Sequence, residues 1–270
     1  MDLGLRGKAA IVTGGSRGVG RAIAASLLRE GARVMISARD PKRLETARAA
    51  LERETGGEVG ATAADLRHDT EAKALIEATL KAFGRLDILV NNAATVMPAD
   101  FAALTEERWA EVFEQKLNGY VRCLRYAIPA MKGRGWGRII NLSGLAAREA
   151  GSQTIPVGVN NAAVLNLTKS LAFALARDNI LVNAVVPYII DTDIQDETMR
   201  RFAANLFLVP PTLSQHVALA AMEERAELDR RVETYSINRQ MLMDALFGLG
   251  ITRLAPADGA FYLYADVGHL

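Results

Sequence analysis

Short apolar runs alternate with longer helical patterns along most of the chain. Between Lys8 and about Val186 the runs are AAIVT, RVMIS, DILVN, RIINL and ILVNAVV, and Ala-, Leu- and Arg-rich segments lie between them. Because these runs are apolar at nearly every position, they are typical of strands that are covered on both faces. The alternation therefore predicts an α/β fold in which a doubly wound, Rossmann-like parallel sheet lies between two layers of helices.

The pattern changes after Pro187. Residues 212–247 form a long, mainly helical pattern that begins shortly after Pro211, and the aromatic-rich segment GAFYLYADV that follows it is a candidate strand. We therefore expect a dinucleotide-binding domain over residues 1–203 and an atypical helix-and-strand extension over residues 204–270.

Composition excludes several classes of function. Half of the 270 residues are hydrophobic and the formal net charge is +1, so the chain lacks the one-signed field that attracts nucleic acids or anionic membranes. The single cysteine, Cys123, excludes a disulfide framework, and the three histidines are too scattered in sequence to suggest a metal site. No apolar stretch reaches the roughly 20 residues that are needed to span a bilayer, so we expect a cytoplasmic protein. We also expect a homo-oligomer that acts on a small-molecule substrate.

The segment AAIVTGGSRGVGRAIA predicts a dinucleotide site. A strand ends at Thr13 and leads through Gly14, Gly18 and Gly20 into a helix. Glycines allow the backbone to approach a pyrophosphate closely, and a helix N-terminus offers unpaired N–H groups and the positive end of a dipole.

Two arginines favour NADP(H) over NAD(H) as the cofactor. Arg39 follows the second strand, where an acidic residue would hold the ribose hydroxyls, and Arg17 lies in the glycine loop. Guanidinium groups at these positions suit a 2′-phosphate. The alternative is that both arginines are ordinary solvated surface charges.

At this point the chain resembles the short-chain dehydrogenase/reductase family. The matching features are the spacing of Thr13, Gly14, Gly18 and Gly20, the pair Asp65-Leu66, the segment Asn91-Asn92-Ala93-Ala94, and the register of Asn118, Ser143 and residues 187–192. They cover roughly residues 5–200. The resemblance implies a cofactor site composed of Thr13, Gly14, Ser16, Arg17, Gly18, Gly20, Arg39, Asp65, Leu66, Asn91, Ala93, Pro187, Ile190 and Thr192.

The same resemblance implies a catalytic site from which one pair is missing. Ser143, Asn118 and Asn161 would be the catalytic residues, and Ser143 would donate a hydrogen bond to the substrate oxygen. The family also has a tyrosine that transfers the proton and, four residues later, a lysine that tunes it. In this chain those positions are Val157 and Asn161. Asn161 retains the ability to hydrogen-bond a ribose hydroxyl but has no charge.

Two hydroxyl groups are possible replacements for the missing tyrosine. Tyr188 follows Pro187 next to the expected nicotinamide, although crowding of the pocket or outward packing is the preferred interpretation of this residue. Thr154 is a much weaker acid than a phenol, and no activating partner is evident in the sequence.

Residues 205–267 are similar to a fragment of the fold-type I pyridoxal-phosphate aminotransferases. In that family a lysine forms a Schiff base with the cofactor. No lysine follows Lys169 in this chain, so the fragment cannot form that bond and no pyridoxal phosphate is expected.

Three functional hypotheses remain open from the sequence. The first is an NADP(H)-dependent oxidoreductase that acts on a carbonyl or an alcohol. The second is a pseudo-enzyme or partner subunit that binds the dinucleotide without turnover. The third is a non-functional fusion product.

Overall fold

The computed structural model describes residues 3–94, 101–149, 151, 154–187, 190 and 225–249. The chain divides into two compact units, Met1–Gln195 and Asp196–Leu270, and each is described by itself.

The first unit contains a six-stranded sheet. The strands are β1 (Ala9–Thr13), β2 (Arg33–Ala38), β3 (Val59–Ala63), β4 (Ile88–Asn91), β5 (Gly137–Leu142) and β6 (Ile180–Val185). Their order is β3-β2-β1-β4-β5-β6, and every neighbouring pair is parallel. The prediction of a Rossmann-like, doubly wound α/β fold is confirmed.

Helices connect these strands. They are α1 (Gly18–Arg29), α2 (Pro41–Thr55), α3 (Asp69–Phe83), α4 (Glu106–Phe113), α5 (Gly119–Lys132) and α6 (Ile155–Leu175). A π-helical segment, Glu114–Asn118, joins α4 directly to α5. Three short 3-10 turns, Phe101–Ala103, Leu145–Ala147 and Ala176–Asp178, complete the described elements of this unit.

The sheet has one apolar core on each face because successive side chains of a strand point to opposite sides. Ile11 of β1 belongs to the core beneath α3, α5 and α6, where it joins Leu75 and Val164. Its neighbour Val12 belongs to the core beneath α1 and α2, together with Leu51. This two-sided burial explains why the central strands are apolar at almost every position.

One ion pair anchors the amino-terminal edge of the sheet. The carboxylate of Asp87 is fully buried, accepts two hydrogen bonds from the Arg85 guanidinium at 2.6 and 2.7 Å, and accepts another from the N–H of Ala9 at 2.8 Å. Burial raises the pKa of Asp87, but these donors outweigh burial and hold the pKa below its usual range. The pair therefore ties the start of β1 to the start of β4.

Cys123 lies on α5 inside the core beneath α3, α5 and α6. Its side chain has no exposed surface, and burial raises the pKa of the thiol to about 12. The sole cysteine of the chain is therefore shielded from solvent and stays protonated near neutral pH.

The second unit contains one described helix, α7 (Arg225–Gly248). It overlaps the helical pattern predicted over residues 212–247 and ends one residue beyond it. The candidate strand GAFYLYADV lies outside the described residues. None of the helices in the described ranges is both long enough and apolar enough to cross a membrane.

Candidate active site

The loop between β1 and α1 lies where the strand order reverses. From β1 the sheet continues to one side with β2 and β3 and to the other side with β4, β5 and β6. Gly14 and Gly18 have left-handed backbone conformations, with φ of +67° and +54°. A Cβ atom on Gly20 would lie 2.3 Å from the carbonyl oxygen of Gly14, so a larger residue does not fit there. The glycines and the first N–H groups of α1 therefore form a cradle that fits the pyrophosphate of a dinucleotide.

Hydrogen bonds tie this loop to the end of β4. The hydroxyl of Thr13 accepts from the N–H groups of Asn92 at 2.9 Å and Ala93 at 3.0 Å. The side-chain amide of Asn92 in turn donates to the carbonyl oxygen of Thr13 at 2.9 Å. These bonds hold the two strand ends in a fixed position beneath the cradle.

A cleft of about 580 Å³ opens beside the loop. Its lining contains eight of the predicted cofactor residues, namely Gly14, Ser16, Arg17, Gly20, Arg39, Asp65, Leu66 and Ala93. It also contains Arg43, Arg67 and Asn92, which the list of cofactor residues predicted from the sequence does not include. The structure thus brings most of the predicted cofactor residues together.

The lining of this cleft contains more positive than negative side chains. Arg17, Arg39 and Arg43 have exposed side chains, and none of them forms an ion pair with a carboxylate among the described residues. Asp40, which lies between two of these arginines, accepts hydrogen bonds from the backbone N–H groups of Lys42 and Arg43 and so caps α2. The Asp40 carboxylate therefore hydrogen-bonds the backbone of α2, and the three arginine side chains are available to bind an anion.

Asp65 and Arg67, which both line the cleft, form an ion pair. The guanidinium of Arg67 donates to the Asp65 carboxylate at 2.5 to 3.0 Å. The hydrogen bonds from Arg67 hold the pKa of Asp65 below its usual range, and the positive charge of Arg39 contributes less. Asp65 is therefore ionised near neutral pH, and its charge is largely matched by Arg67.

Ser143, Asn161 and Lys116 meet just beyond the end of β5. The hydroxyl of Ser143 donates to the backbone carbonyl oxygen of Asn161 at 2.9 Å. The ammonium of Lys116 donates to the side-chain oxygen of Asn161 at 2.6 Å and to the backbone carbonyl oxygen of Ser143 at 2.9 Å. Two of the three predicted catalytic residues thus lie together, and a lysine joins them.

Asn118, the third predicted catalytic residue, has a different partner. Its side-chain amide donates to the Glu114 carboxylate at 2.5 Å, and that carboxylate also accepts from Arg122 at 2.7 Å. Asn118 therefore belongs to a polar group on the π segment and α5, and its catalytic role stays a prediction. Lys116, two residues earlier, is the residue of this segment that contacts Ser143 and Asn161.

Asn91 and Asn92, at the end of β4, lie on opposite sides of the strand. The side chain of Asn91 is fully buried and donates to Asn141 at 2.9 Å, and Asn141 donates to Thr168 on α6 at 2.9 Å. Asn91 thus lies in a buried network behind the cleft, whereas Asn92 lines it.

The predicted nicotinamide segment is described only in part. The carbonyl oxygen of Pro187 accepts from the N–H of Leu145 at 3.1 Å, and the side chain of Ile190 is exposed. Thr192 and Tyr188 lie outside the described residues, so their predicted roles stay predictions.

The position that the family resemblance assigns to a tyrosine, Val157, lies on α6. Val157 is partly buried, one helical turn before Asn161, and its side chain cannot transfer a proton. The hydroxyl of Thr154 donates to the backbone carbonyl oxygen of Gly151 at 3.2 Å, and this acceptor is not a base that could activate it. Among the described residues, no group of three or more His, Cys, Asp and Glu side chains could hold a metal ion.

Three charged residues of the site were not identified from the sequence. Arg43 was recognisable, because it follows Arg39 by four residues at the start of a helix. Arg67 follows the predicted pair Asp65-Leu66 directly. Lys116 left no signal, because its partners, Ser143 and Asn161, are far away in the sequence.

A comparison with protein-family models places this geometry in a known class. Residues 8–201 match the model of the short chain dehydrogenase family. The chain belongs to this family of oxidoreductases, which bind nicotinamide dinucleotides. The resemblance stated from the motifs is confirmed for this part, whereas the resemblance of residues 205–267 to an aminotransferase fragment stays a prediction.

Individual relatives support the same assignment. The 3-oxoacyl-(acyl-carrier-protein) reductase FabG of Staphylococcus aureus is 37% identical over 191 residues, which are 70% of this chain and 77% of that protein. L-sorbose reductase from Gluconobacter frateurii, solved in complex with NADPH and L-sorbose, superposes with a TM-score of 0.72 at 33% identity and covers 76% of this chain and 78% of its own. A variant of actinorhodin polyketide ketoreductase, solved with NADPH, has a TM-score of 0.69 at 33% identity and covers 77% of this chain and 79% of its own.

Proposed function

We propose that the protein is an NADP(H)-dependent oxidoreductase that interconverts a carbonyl compound and an alcohol. The observation that supports this most strongly is the group of Arg17, Arg39 and Arg43 in the cleft, free of ion pairs with described carboxylates. A phosphate is the ligand that best satisfies several convergent guanidinium groups.

The position of these arginines favours the 2′-phosphate of NADP(H) over the pyrophosphate. Arg39 directly follows β2, and an acidic residue that directly follows this strand in a Rossmann fold would bind both ribose hydroxyls. The pyrophosphate has its own cradle in the glycine loop and the N-terminus of α1. Two of the similar structures contain NADPH and a third, a xylitol dehydrogenase, contains NAD⁺, so the assignment rests on the arginines.

The cluster at the end of β5 supports carbonyl chemistry. When bound, the reduced nicotinamide supplies a hydride, and a developing negative charge on the substrate oxygen then needs a nearby donor. We assign this role to the ammonium of Lys116 and the hydroxyl of Ser143, which lie together at the end of β5. In the present geometry the Ser143 hydroxyl donates to Asn161, so it must rotate to donate to a substrate.

Cofactor preference is tested by titration with NADPH and NADH in the wild type and in Arg39→Asp. Well-formed hydrogen bonds to charged groups contribute about 1.5–3 kcal/mol each, so we expect the substitution to weaken NADPH binding about 10- to 100-fold and to leave NADH binding equal or tighter. Lys73→Met is the matched control, because Lys73 is an exposed residue of α3 away from the cleft lining.

Turnover is tested with NADPH and a panel of carbonyl compounds. The panel contains a 3-oxoacyl-(acyl-carrier-protein) and L-sorbose, which are named for two of the similar reductases. Equal affinities for the two cofactors would refute the preference for NADP(H). Binding of NADPH without reduction of any carbonyl would refute the proposed reaction and favour a dinucleotide-binding protein without turnover.

A further inference from the structure

Lys116 lies in an unusual backbone segment that directs its side chain at the end of β5. The π segment Glu114–Asn118 interrupts the path from α4 to α5, and such insertions are frequent at functional sites. The Lys116 ammonium binds Asn161 on α6 and the carbonyl oxygen of Ser143 beyond β5. It therefore lies between the two residues that the family resemblance assigns to substrate and cofactor.

No negative charge compensates this ammonium among the described residues. Glu114, in the same segment, is bound by Arg122 and Asn118. Tyr120 presents its ring 5.9 Å from Lys116, and its hydroxyl donates to the carbonyl oxygen of Leu142. The partners from the end of β5 and from α6 are a backbone carbonyl and an amide, neither of which ionises.

An ammonium in this environment gives up its proton readily. Burial lowers the pKa of Lys116 to about 8, because desolvation disfavours the charged form. A general acid is most effective when its pKa lies near the working pH. Two of the three N–H groups of Lys116 have acceptors, and within the described part of the chain the third has none, so it is available to a further oxygen acceptor.

The other candidate donors near this point are unsuited to the task. Val157 has no proton to give, and Thr154 is bound to the backbone of Gly151. The Ser143 hydroxyl donates to a helix carbonyl and is a very weak acid. Lys116 is the remaining acid among the described residues around the cluster.

We propose that Lys116 is the catalytic acid that protonates the substrate oxygen, held in place by Asn161 and the backbone of Ser143. This inference rests on the proposed carbonyl reduction. A hydride from NADPH forms the new C–H bond, and NADPH is oxidised to NADP⁺. The π electrons of the C=O bond become an oxygen lone pair, which takes a proton from Nζ of Lys116. The neutral amine then regains a proton from water.

The test compares Lys116→Arg, Lys116→Met and the control Lys73→Met with the wild type. Protonated Lys116 is the active form, so wild-type kcat for ketone reduction is expected to be constant at low pH and to fall above about pH 8. Arginine keeps the charge and does not deprotonate in this range. We expect both Lys116 variants to lose about a hundredfold or more in kcat, with NADPH binding within a few-fold of the wild type, while the control stays unchanged.

A second variant keeps the lysine and moves its pKa. Asn161→Asp places a carboxylate against the ammonium and favours its charged form, so the break in the kcat profile should shift to higher pH. A purely structural lysine would not shift that break. NMR of protein labelled at lysine ¹³Cε provides a readout without turnover, in which a resonance that titrates near pH 8 should disappear in Lys116→Met and persist in Lys73→Met.

The outcomes separate this inference from the proposed function. If no form of the protein reduces a ketone, the wild type included, both the proposed function and the role of Lys116 are overturned. Reduction that persists within threefold in Lys116→Met, a pH break that is unchanged in Lys116→Arg, or the absence of a lysine that titrates near pH 8 overturns only the role of Lys116.

Discussion

Gly20 shows how closely the backbone of the cofactor loop is packed. Its missing side chain leaves room for the carbonyl oxygen of Gly14 and for the amide of Asn92, which would lie 2.3 and 2.5 Å from a Cβ atom. Both neighbours are fixed by hydrogen bonds to Thr13 or by the backbone itself. The loop therefore cannot yield at this point without moving the ends of β1 and β4.

Gly20→Ala is expected to destabilise the protein and to weaken NADPH binding. Overpacking of a rigid site costs about 1–3 kcal/mol in the free energy of unfolding. Gly133→Ala is the control, because its Cβ would have no neighbour nearer than 3.7 Å and its φ is −59°. Denaturant unfolding and NADPH titration measure both effects, and equal stability of the two variants would contradict the packing argument.

Among individual residues, the sequence predicts those whose roles depend on local spacing. Thr13, Gly14, Gly20 and Arg39 are recognisable because strand, loop and helix follow one another within a short segment. Lys116 is not, because its contacts depend on a π segment that changes the direction of the side chain and on two distant residues. Asn91 and Asn92 are adjacent, and only the structure shows which of them faces the cleft.

Among the elements, the buried strands are the most predictable. The runs AAIVT, RVMIS, DILVN, RIINL and ILVNAVV correspond to β1, β2, β4, β5 and β6. β3 is not among the quoted runs, because VGATA is composed largely of small residues and is only partly buried at the edge of the sheet. Hydrophobic pattern identifies a strand when both of its faces are covered, and its signal weakens at an edge.

At the N-terminus of α2, one residue both caps the helix and lines the cleft. The carboxylate of Asp40 caps the helix by accepting from Lys42 and Arg43, and it also lines the cleft beside Arg39. The cap requires an oxygen acceptor, whereas the charge of the carboxylate opposes a bound phosphate. The two contributions can therefore be separated by substitution.

Asp40→Asn should keep the cap and strengthen NADPH binding several-fold, since it removes a negative charge beside the phosphate. Asp40→Ala should strengthen binding similarly but cost about 0.5–2 kcal/mol in the free energy of unfolding. Thermal melts and NADPH titrations of the two variants provide the comparison. Weaker NADPH binding in Asp40→Asn would mean that the phosphate does not lie near this residue.

For the whole molecule, the division into two compact units at Gln195 and Asp196 separates what the sequence predicts well from what it predicts poorly. The first unit has strands and motifs whose order is characteristic of one family. In the second unit, a long, mainly helical pattern predicts α7 but does not specify what the helix packs against. The predicted boundary at residue 203 and the predicted final strand lie outside the described residues.

Burial of Cys123 predicts how the first unit reacts with thiol reagents. The thiol lies in the core with a pKa of about 12, so a reagent that needs the thiolate can react only when this core opens. We expect the folded protein to be labelled far more slowly than the unfolded chain. Rapid labelling under native conditions, followed by mass spectrometry, would show that α5 opens without global unfolding.

The alkylation rate of Cys123 can also report ligand binding. A ligand that binds only the folded state reduces the open population by a factor of one plus its concentration over Kd, or about 100-fold at a hundred times Kd. NADPH should slow the alkylation of Cys123 accordingly, and NADH at equal concentration should slow it less. Because every molecule contains this one cysteine, a mass-spectrometric time course can rank cofactors in a crude mixture without a substrate, a dye or an engineered label.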